Sequence, residues 1–169
     1  MSNRKSRVSF GTWFGIVSLM RTSSGREEGA WICLRSTVRF WRRIAQHVAR
    51  VGIAIVDGKI WSSGTEGRVR TRHVRRDPRA TLFVFETGYN WLGLESTVTV
   101  IEGPTAWSES VRLFLEMQRG MSPGPAPGHL LWNGQERTTD EFPAIMEQEQ
   151  RLIYELQPVR AYGLLAIPR

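Results

Sequence analysis

The chain has 169 residues, a net charge of +7 and a single cysteine, Cys33. This length suits one domain with one sizeable core, and a lone cysteine excludes an internal disulfide or a multi-cysteine metal site. The three histidines are widely spaced and give no metal-ligand pattern. No apolar run reaches membrane-spanning length and no secretory cleavage site is recognisable, so we expect a cytoplasmic protein with no membrane and no metal partner.

The positive charge lies mainly in the first fifty residues. Residues 1–50 hold ten lysines or arginines against two glutamates, whereas thirteen basic residues face fourteen acidic ones in 51–169. Because the larger part of the chain is nearly neutral, a general nucleic-acid interface is disfavoured and we expect no nucleic-acid partner. One local cluster remains, the segment GRVRTRHVRRDPR at residues 67–79, which packs six arginines into thirteen positions.

Residues 1–46 show neither steady alternation nor a helical period. Their basic, Trp-containing composition fits a lineage-specific extension or a GC-rich gene read in a shifted frame, and the residues leave both interpretations open. We expect an atypical, poorly packed segment over 1–46 and a single domain over 47–169. Within the first segment, AWICLRSTVRFW is the weak candidate for a strand.

The pattern sharpens from residue 47 onward. HVARVGIAIV, a DG turn at 57–58 and KIWSS predict a hairpin over 47–63. Residues 68–76 predict a short helix that ends before Pro78. ATLFVFE predicts a strand buried on both faces, and WLGLESTVTVIEG predicts a long strand with a bend at Glu95.

The second half alternates helices and extended segments. SESVRLFLEMQ predicts a serine-capped helix, TTDEFPAIMEQEQ a second helix, and RLIYELQPVRAYGLLAI a strand broken at Pro158. Between the helices, RGMSPGPAPGHLLWNG predicts a loop without regular structure that serves as a mobile rim or lid. About six strands and three short helices predict a mostly antiparallel α+β barrel.

The arginine cluster divides into two groups on a helical wheel. The larger group forms one broad sector, which we interpret as a solvated face: Arg68, Arg72, Arg75 and Arg76. Arg70, Thr71 and Val74 fall on the opposite side, and Val74 is the residue expected to pack on the sheet. A buried arginine beside a hydroxyl at the start of a helix needs an anion.

A helix start offers free N–H groups and a positive dipole end, and an arginine fork adds paired donors. Ser62, Ser63 and Thr65 occupy the preceding strand end and loop, within reach of that helix start. These residues together predict a phosphate site.

Three segments carry a likeness to a known family: KIWSSGTEGRVRTRHVRRDPRATLFVF, WLGLESTVTVIEG and RLIYELQPVRAYGL. They resemble the flavin and deazaflavin oxidoreductases of the pyridoxamine 5′-phosphate oxidase-like split-barrel superfamily. The most similar branch is the actinobacterial one that uses coenzyme F-420. Its pattern K-T-R-N-L-x-x-D-P-R corresponds to R-T-R-H-V-R-R-D-P-R here, and the likeness covers about residues 47–165. It implies an FMN-binding-type split β-barrel with short flanking helices.

The resemblance implies an oxidoreductase in which coenzyme F-420, or alternatively FMN, serves hydride transfer to a small organic substrate. It also implies a homodimer with the cofactor at the interface. An FMN-dependent enzyme of the same fold and a non-catalytic cofactor-binding protein are the alternatives. The larger basic rim of Arg72, Arg75 and Arg76 favours the deazaflavin, whose tail is long and acidic. No catalytic residue and no metal ligand is assigned.

The residues implied for the cofactor come from two parts of the chain. Those implied for the phosphate are Arg70 and Thr71, with Arg68 and Ser62 or Ser63 assisting. Those implied for the ring are Val48 and Val51 on the strand that ends at Gly52, together with Trp91. Arg70 stands where the family usually has lysine, which changes a point charge into a planar fork.

Overall fold

The computed structural model describes residues 29–36, 45–85 and 91–164. Within these ranges the strands are β1 (Gly29–Ser36), β2 (Ala45–Val51), β3 (Ile53–Val56), β4 (Lys59–Thr65), β5 (Arg79–Phe85), β6 (Trp91–Ile101), β7 (His129–Trp132), β8 (Gln135–Thr138) and β9 (Arg151–Leu164). The helices are α1 (Val69–Arg76), α2 (Gly103–Gln118) and α3 (Phe142–Gln148). Residues 30–36 of the weak strand candidate AWICLRSTVRFW lie in β1. The expectations for residues 1–28 and 37–44 lie outside the described residues.

Seven of the described strands form one antiparallel sheet in the order β2-β1-β5-β6-β9-β4-β3. Strands β2 and β3 stand at opposite edges of this sheet, yet only Gly52 separates them in the chain. The sheet must therefore curl until its two edges meet, and no backbone pairing of the described residues joins β2 to β3. The predicted antiparallel α+β barrel is confirmed, with one open seam.

The predicted hairpin is correct only in its second part. Strands β3 and β4 pair through a two-residue turn in which Asp57 and Gly58 have φ angles of 48° and 78°, as a type I′ turn requires. Residues 45–51 instead pair with β1 at the other edge. The chain changes edge at Gly52, whose carbonyl accepts a hydrogen bond of 2.8 Å from the Ser62 hydroxyl.

The buried apolar residues of the described ranges form three clusters. The barrel interior is lined from all sides, with Leu82, Leu94 and Leu156 almost fully buried. A second cluster, which includes Trp61, packs the outside of β3, β4 and β9 against α2. A third joins α2, α3 and the β7–β8 hairpin around Phe142. We call helices α2 and α3 together with the β7–β8 hairpin the helical lobe.

Two predictions for the second half are wrong in detail. Helix α2 begins at Gly103 rather than at a serine cap, because Pro104 occupies its first turn, where proline is favoured. Ser108 lies inside the helix and its hydroxyl bonds back to the Pro104 carbonyl at 3.1 Å. Strand β9 continues through Pro158, and a register shift between Glu95 and Ser96 of β6 accommodates it. At this shift Glu95 pairs with Arg160 and Ser96 pairs with Pro158, while β6 continues as one strand. The bend at Glu95 stays a prediction.

The predicted loop is wrong over its last part, because β7 begins at His129 and pairs with β8. Asn133 and Gly134 form the connecting turn, with φ angles of 50° and 78°. The side chain of Gln118 bonds both backbone groups of Leu131, at 2.8 and 2.9 Å, and so ties the hairpin to the end of α2. No helix of the described ranges is long and apolar enough to span a membrane.

Candidate anion-binding site

Helix α1 presents its two faces as the helical wheel predicts. Arg70, Thr71 and Val74 are buried, and Val74 packs into the barrel interior. The larger arginine group faces outward. The first turn of α1 contains no acidic residue and no side chain caps it. The N–H groups of Arg68 and Thr71 bond the carbonyls of Thr65 and Arg68, which leaves those of Val69 and Arg70 for an outside acceptor. This helix end therefore suits an anion.

Arg70 is the central residue of this region and is only 8% exposed. Its Nη2 donates a 2.8 Å hydrogen bond to the carbonyl of Ser63, the first residue of β4 beyond its pairing with β3. Its Nε is buried and has no hydrogen-bond partner, and the same holds for the Ser63 hydroxyl. A buried donor without an acceptor is costly, so this arrangement favours an acceptor that comes from a ligand.

Two other hydroxyls predicted for the site already donate hydrogen bonds to backbone carbonyls. Thr71 donates to the Thr65 carbonyl at 2.7 Å, and Ser62 donates to Gly52. Each hydroxyl carries one hydrogen, so neither can donate to an anion while these bonds persist. As placed, Thr71 and Ser62 support the site, whereas Ser63 offers its hydroxyl. Their assignment to the cofactor stays a prediction.

Uncompensated positive charge lies at the N-terminal end of α1. Arg75, further along the helix, bonds the carboxylates of Glu66 and Glu102 at 2.6 to 3.1 Å. Its hydrogen bonds to these two carboxylates raise the pKa of Arg75, and the hydrogen bond donated by Arg75 lowers the pKa of Glu66. By contrast, Arg68, Arg70 and Arg72 form no ion pair with a carboxylate of the described residues. Within the predicted basic rim of Arg72, Arg75 and Arg76, the charge of Arg75 is therefore already neutralised by two carboxylates.

The residues predicted for the ring do not all share one face. Val51 is 9% exposed and belongs to the barrel interior, whereas Val48 is 56% exposed. Val48 lies in a register row with Thr81 and Glu95 on the outer face of the sheet. A ring against this outer face could contact Val48 but not Val51.

Trp91 also lies on the outer face, within a group of aromatic side chains. It stacks on Phe83 with ring centroids 5.4 Å apart and meets the edge of Tyr162 at 5.9 Å. The Tyr162 ring covers Gly93, where a Cβ atom would lie 2.5 Å from ring carbon Cε2. β5 is half-buried on this face, at Thr81 and Phe83, so the prediction of burial on both faces holds only for the inner one.

Tyr154 is a residue of the site that the sequence pattern does not reveal. Its ring lies 5.5 Å from the Arg70 guanidinium carbon, and its hydroxyl is 2.7 Å from the Thr71 hydroxyl. In RLIYEL the alternation of Leu152, Tyr154 and Leu156 indicates only an inward-facing position. Within the described ranges, no group of three or more histidine, cysteine, aspartate or glutamate residues could hold a metal ion.

No protein-family model matches the chain. A search of curated proteins likewise gives no significant match. Solved structures do resemble it, among them a conserved hypothetical protein of Mycobacterium tuberculosis with a TM-score of 0.62 and 16% identity, covering 96% of this chain and 89% of that one.

Two further structures connect this likeness to a fold. An F420 reductase matches with a TM-score of 0.53 and 14% identity over 79% of this chain and 88% of its own. A Clostridium acetobutylicum protein related to general stress protein 26, of the pyridoxinephosphate oxidase family, matches with a TM-score of 0.57 and 10% identity. This match covers 93% of this chain and 90% of the other. The chain has the pyridoxamine 5′-phosphate oxidase-like split-barrel fold.

The split-barrel assignment explains the seam between β2 and β3, because a split barrel curls without closing its hydrogen-bonded ladder. At these identities the likeness concerns the fold, so the function must be argued from the site itself.

Proposed function

We propose that the chain is an oxidoreductase that uses a flavin-type cofactor, coenzyme F-420 in the first place, for hydride transfer to a small organic substrate. In this proposal the cofactor phosphate binds at the start of α1, and the protein works in the cytoplasm. A bound deazaflavin or flavin would supply the hydride chemistry. The residues of the chain bind the phosphate, orient the cofactor and exclude water.

The observation that carries the proposal is the pair of buried donors without a partner, Arg70 Nε and Ser63 Oγ. They lie beside an uncapped helix start and two further arginines, Arg68 and Arg72, without an ion pair to the described carboxylates. A phosphate offers the oxygen acceptors and the charge that this set of donors lacks. The residues present therefore fit the phosphate end of such a cofactor.

The ring end supports the proposal of a homodimer. Val48 and Trp91 lie on the outer face of the sheet, whereas Arg70 stacks on Tyr154, which faces the barrel interior. In this proposal a single cofactor contacts both sets by bridging the outer face of one copy and the α1 start of another. The partly exposed aromatic group around Trp91 supports burial of this face by a second copy.

FMN stays as the second candidate because of one observation. The rim that favours a long acidic tail is reduced when Glu66 and Glu102 bind Arg75. FMN needs only the inner donors around Arg70 and Ser63. The F420 reductase among the similar structures supports the deazaflavin, and the ion pairs of Arg75 support FMN.

Fluorescence titration of the purified protein tests the proposal. The ligands are coenzyme F-420, the same deazaflavin without phosphate and tail, FMN, and riboflavin, which is FMN without phosphate. We define the phosphate discrimination ratio as the dissociation constant of the phosphate-free ligand divided by that of its phosphorylated counterpart. Two or more charge-assisted hydrogen bonds predict a ratio of about 30 or more. A ratio near one for both pairs would contradict the proposal.

Hydride transfer needs a separate assay. Reoxidation of reduced coenzyme F-420 or FMN is followed by absorbance in the presence of small electron-poor alkenes and quinones. Protein-dependent reoxidation supports an enzyme, and tight binding without any reoxidation supports the non-catalytic alternative.

A further inference from the structure

We propose that Tyr154 is a positioning residue that fixes the Arg70 guanidinium for an anion without neutralising it. The inference rests on the proposed function, because it concerns the same phosphate site. It assigns a role to a side chain on β9, a strand distant in sequence from α1.

The direction of the hydrogen bonds follows from the donors available. The Thr65 carbonyl can only accept, so the hydrogen of the Thr71 hydroxyl points to it at 2.7 Å. Thr71 must then accept in its second contact, and the Tyr154 hydroxyl is the donor at 2.7 Å. This hydrogen bond links Tyr154 to the first turn of α1, whereas the position of the ring itself depends on its packing.

The ring in turn lies against Arg70, whose guanidinium carbon is 5.5 Å from the ring centroid. An aromatic face attracts a guanidinium through its quadrupole and carries no net charge. A carboxylate in the same place would bind Arg70 more strongly, but it would cancel the charge and compete with an incoming phosphate. Arg75, on the same helix as Arg70, shows that alternative, because it forms ion pairs with the carboxylates of Glu66 and Glu102.

The packing around the ring leaves it little freedom. Tyr154 is 2% exposed, and its ring lies directly over Gly64 of β4. A Cβ atom at position 64 would lie 2.5 Å from ring carbon Cε2, closer than packed carbon atoms allow. Glycine at this position is therefore part of the arrangement that keeps the ring beneath Arg70.

The test compares Tyr154→Leu with Tyr154→Phe by the FMN and riboflavin titrations. Tyr154→Leu removes the ring, and we expect the phosphate discrimination ratio to fall about 5- to 30-fold, the range of a cation–π contact in a desolvated site. Tyr154→Phe keeps the ring, and we expect its ratio to stay within about twofold of wild type. An unchanged ratio in Tyr154→Leu, or an equal fall in Tyr154→Phe, would overturn the proposal.

Modification of arginines by phenylglyoxal, mapped by peptide mass spectrometry, gives a readout without cofactor. Arg70 should react more slowly than the exposed Arg68 and Arg72 in wild type and in Tyr154→Phe, and as fast as they do in Tyr154→Leu. Slow reaction of Arg70 in Tyr154→Leu would overturn the role of Tyr154. If Tyr154→Leu does not fold, Gly64→Ala displaces the ring instead, and the same two readouts apply.

The two proposals fail in different ways. A wild-type ratio near one removes the phosphate site, while the phenylglyoxal pattern still reports whether Tyr154 holds Arg70. A high wild-type ratio that persists in Tyr154→Leu keeps the phosphate site and removes the role of Tyr154.

Discussion

Two arginines of the described residues stack on aromatic rings, and only one of them has an acidic partner among those residues. Arg151, at the edge of the helical lobe, lies 4.7 Å over Trp132 and bonds Glu149 at 2.8 and 2.9 Å. Trp132 Nε1 donates to the other oxygen of Glu149 at 2.8 Å, so the triad satisfies itself. Arg70 lies over Tyr154 without a carboxylate and keeps a buried Nε without an acceptor.

On the proposed function, this difference separates a structural polar group from one that binds a ligand. A triad that meets its own hydrogen-bonding needs adds stability and attracts nothing. A buried cation with an open donor costs stability until a ligand arrives. We therefore expect substitutions in the helical lobe to change unfolding and those around Arg70 to change ligand affinity.

The largest effect should come from Phe142→Ala. Phe142 is fully buried and meets both Phe114 and Trp132 at 5.5 Å between ring centroids. The cavity should lower the free energy of unfolding by about 3–5 kcal/mol, measured by urea denaturation. The phosphate discrimination ratio of the folded variant should equal that of wild type, and a fall in the ratio would show that the two regions are coupled.

Arg70→Met should produce the opposite pattern. Loss of the guanidinium should weaken FMN binding by about 2 kcal/mol, roughly thirtyfold, and leave riboflavin binding unchanged. The melting temperature without cofactor should stay equal or rise, because methionine removes a buried charge.

Arg76→Ala, on the exposed side of α1, is the matched control and should change FMN binding far less than Arg70→Met. A comparable loss in both variants would end the distinction between the inner and outer arginines.

Gln118→Ala tests the attachment of the β7–β8 hairpin. The substitution removes the two hydrogen bonds to the Leu131 backbone, which should cost about 1–2 kcal/mol of unfolding free energy. Hydrogen exchange should then rise at residues 129–138 and not in the barrel strands. Unchanged exchange in the hairpin would show that the apolar contacts of the lobe hold it without Gln118.

Glu149→Gln should change the free energy of unfolding least, and the direction in which this change varies with pH follows from the pKa of Glu149. Burial alone would raise the pKa of Glu149, but hydrogen bonds from Trp132 and Arg151 outweigh it and lower the pKa. A carboxyl whose pKa is depressed by folding stabilises the fold above its unfolded value, near 4.3, and loses that contribution as the pH falls through the folded pKa.

The free energy of unfolding of wild type should therefore exceed that of Glu149→Gln by about 1 kcal/mol at pH 7. This difference should shrink below about pH 4.3. Chemical denaturation at several pH values measures this difference, and a gap that widens toward acid pH would contradict the assignment.

Local patterns predicted the parts of the fold that depend on neighbouring residues. The DG turn and the stop of α1 before Pro78 are local, and so is the orientation of Arg70, Thr71 and Val74 on one helix face. The NG pair at 133–134 carried the same turn signal, but proline and glycine upstream led to a loop assignment.

Long-range partners explain what the sequence could not predict. HVARVGIAIV reads as one strand, and only the pairing of β2 with β1 reveals that Gly52 separates two sheet edges. In the candidate site, Tyr154 contacts Arg70 and Arg75 contacts Glu102, and each of these partners lies far along the chain. No local pattern contains such pairs.

The central claim is that the start of α1 binds the phosphate of a flavin-type cofactor. The measurement that tests it most directly is the phosphate discrimination ratio of the wild-type chain, for FMN against riboflavin and for coenzyme F-420 against its phosphate-free form. The account predicts a ratio of about 30 or more for at least one pair, and a ratio that collapses in Arg70→Met. Ratios near one for both pairs would contradict it.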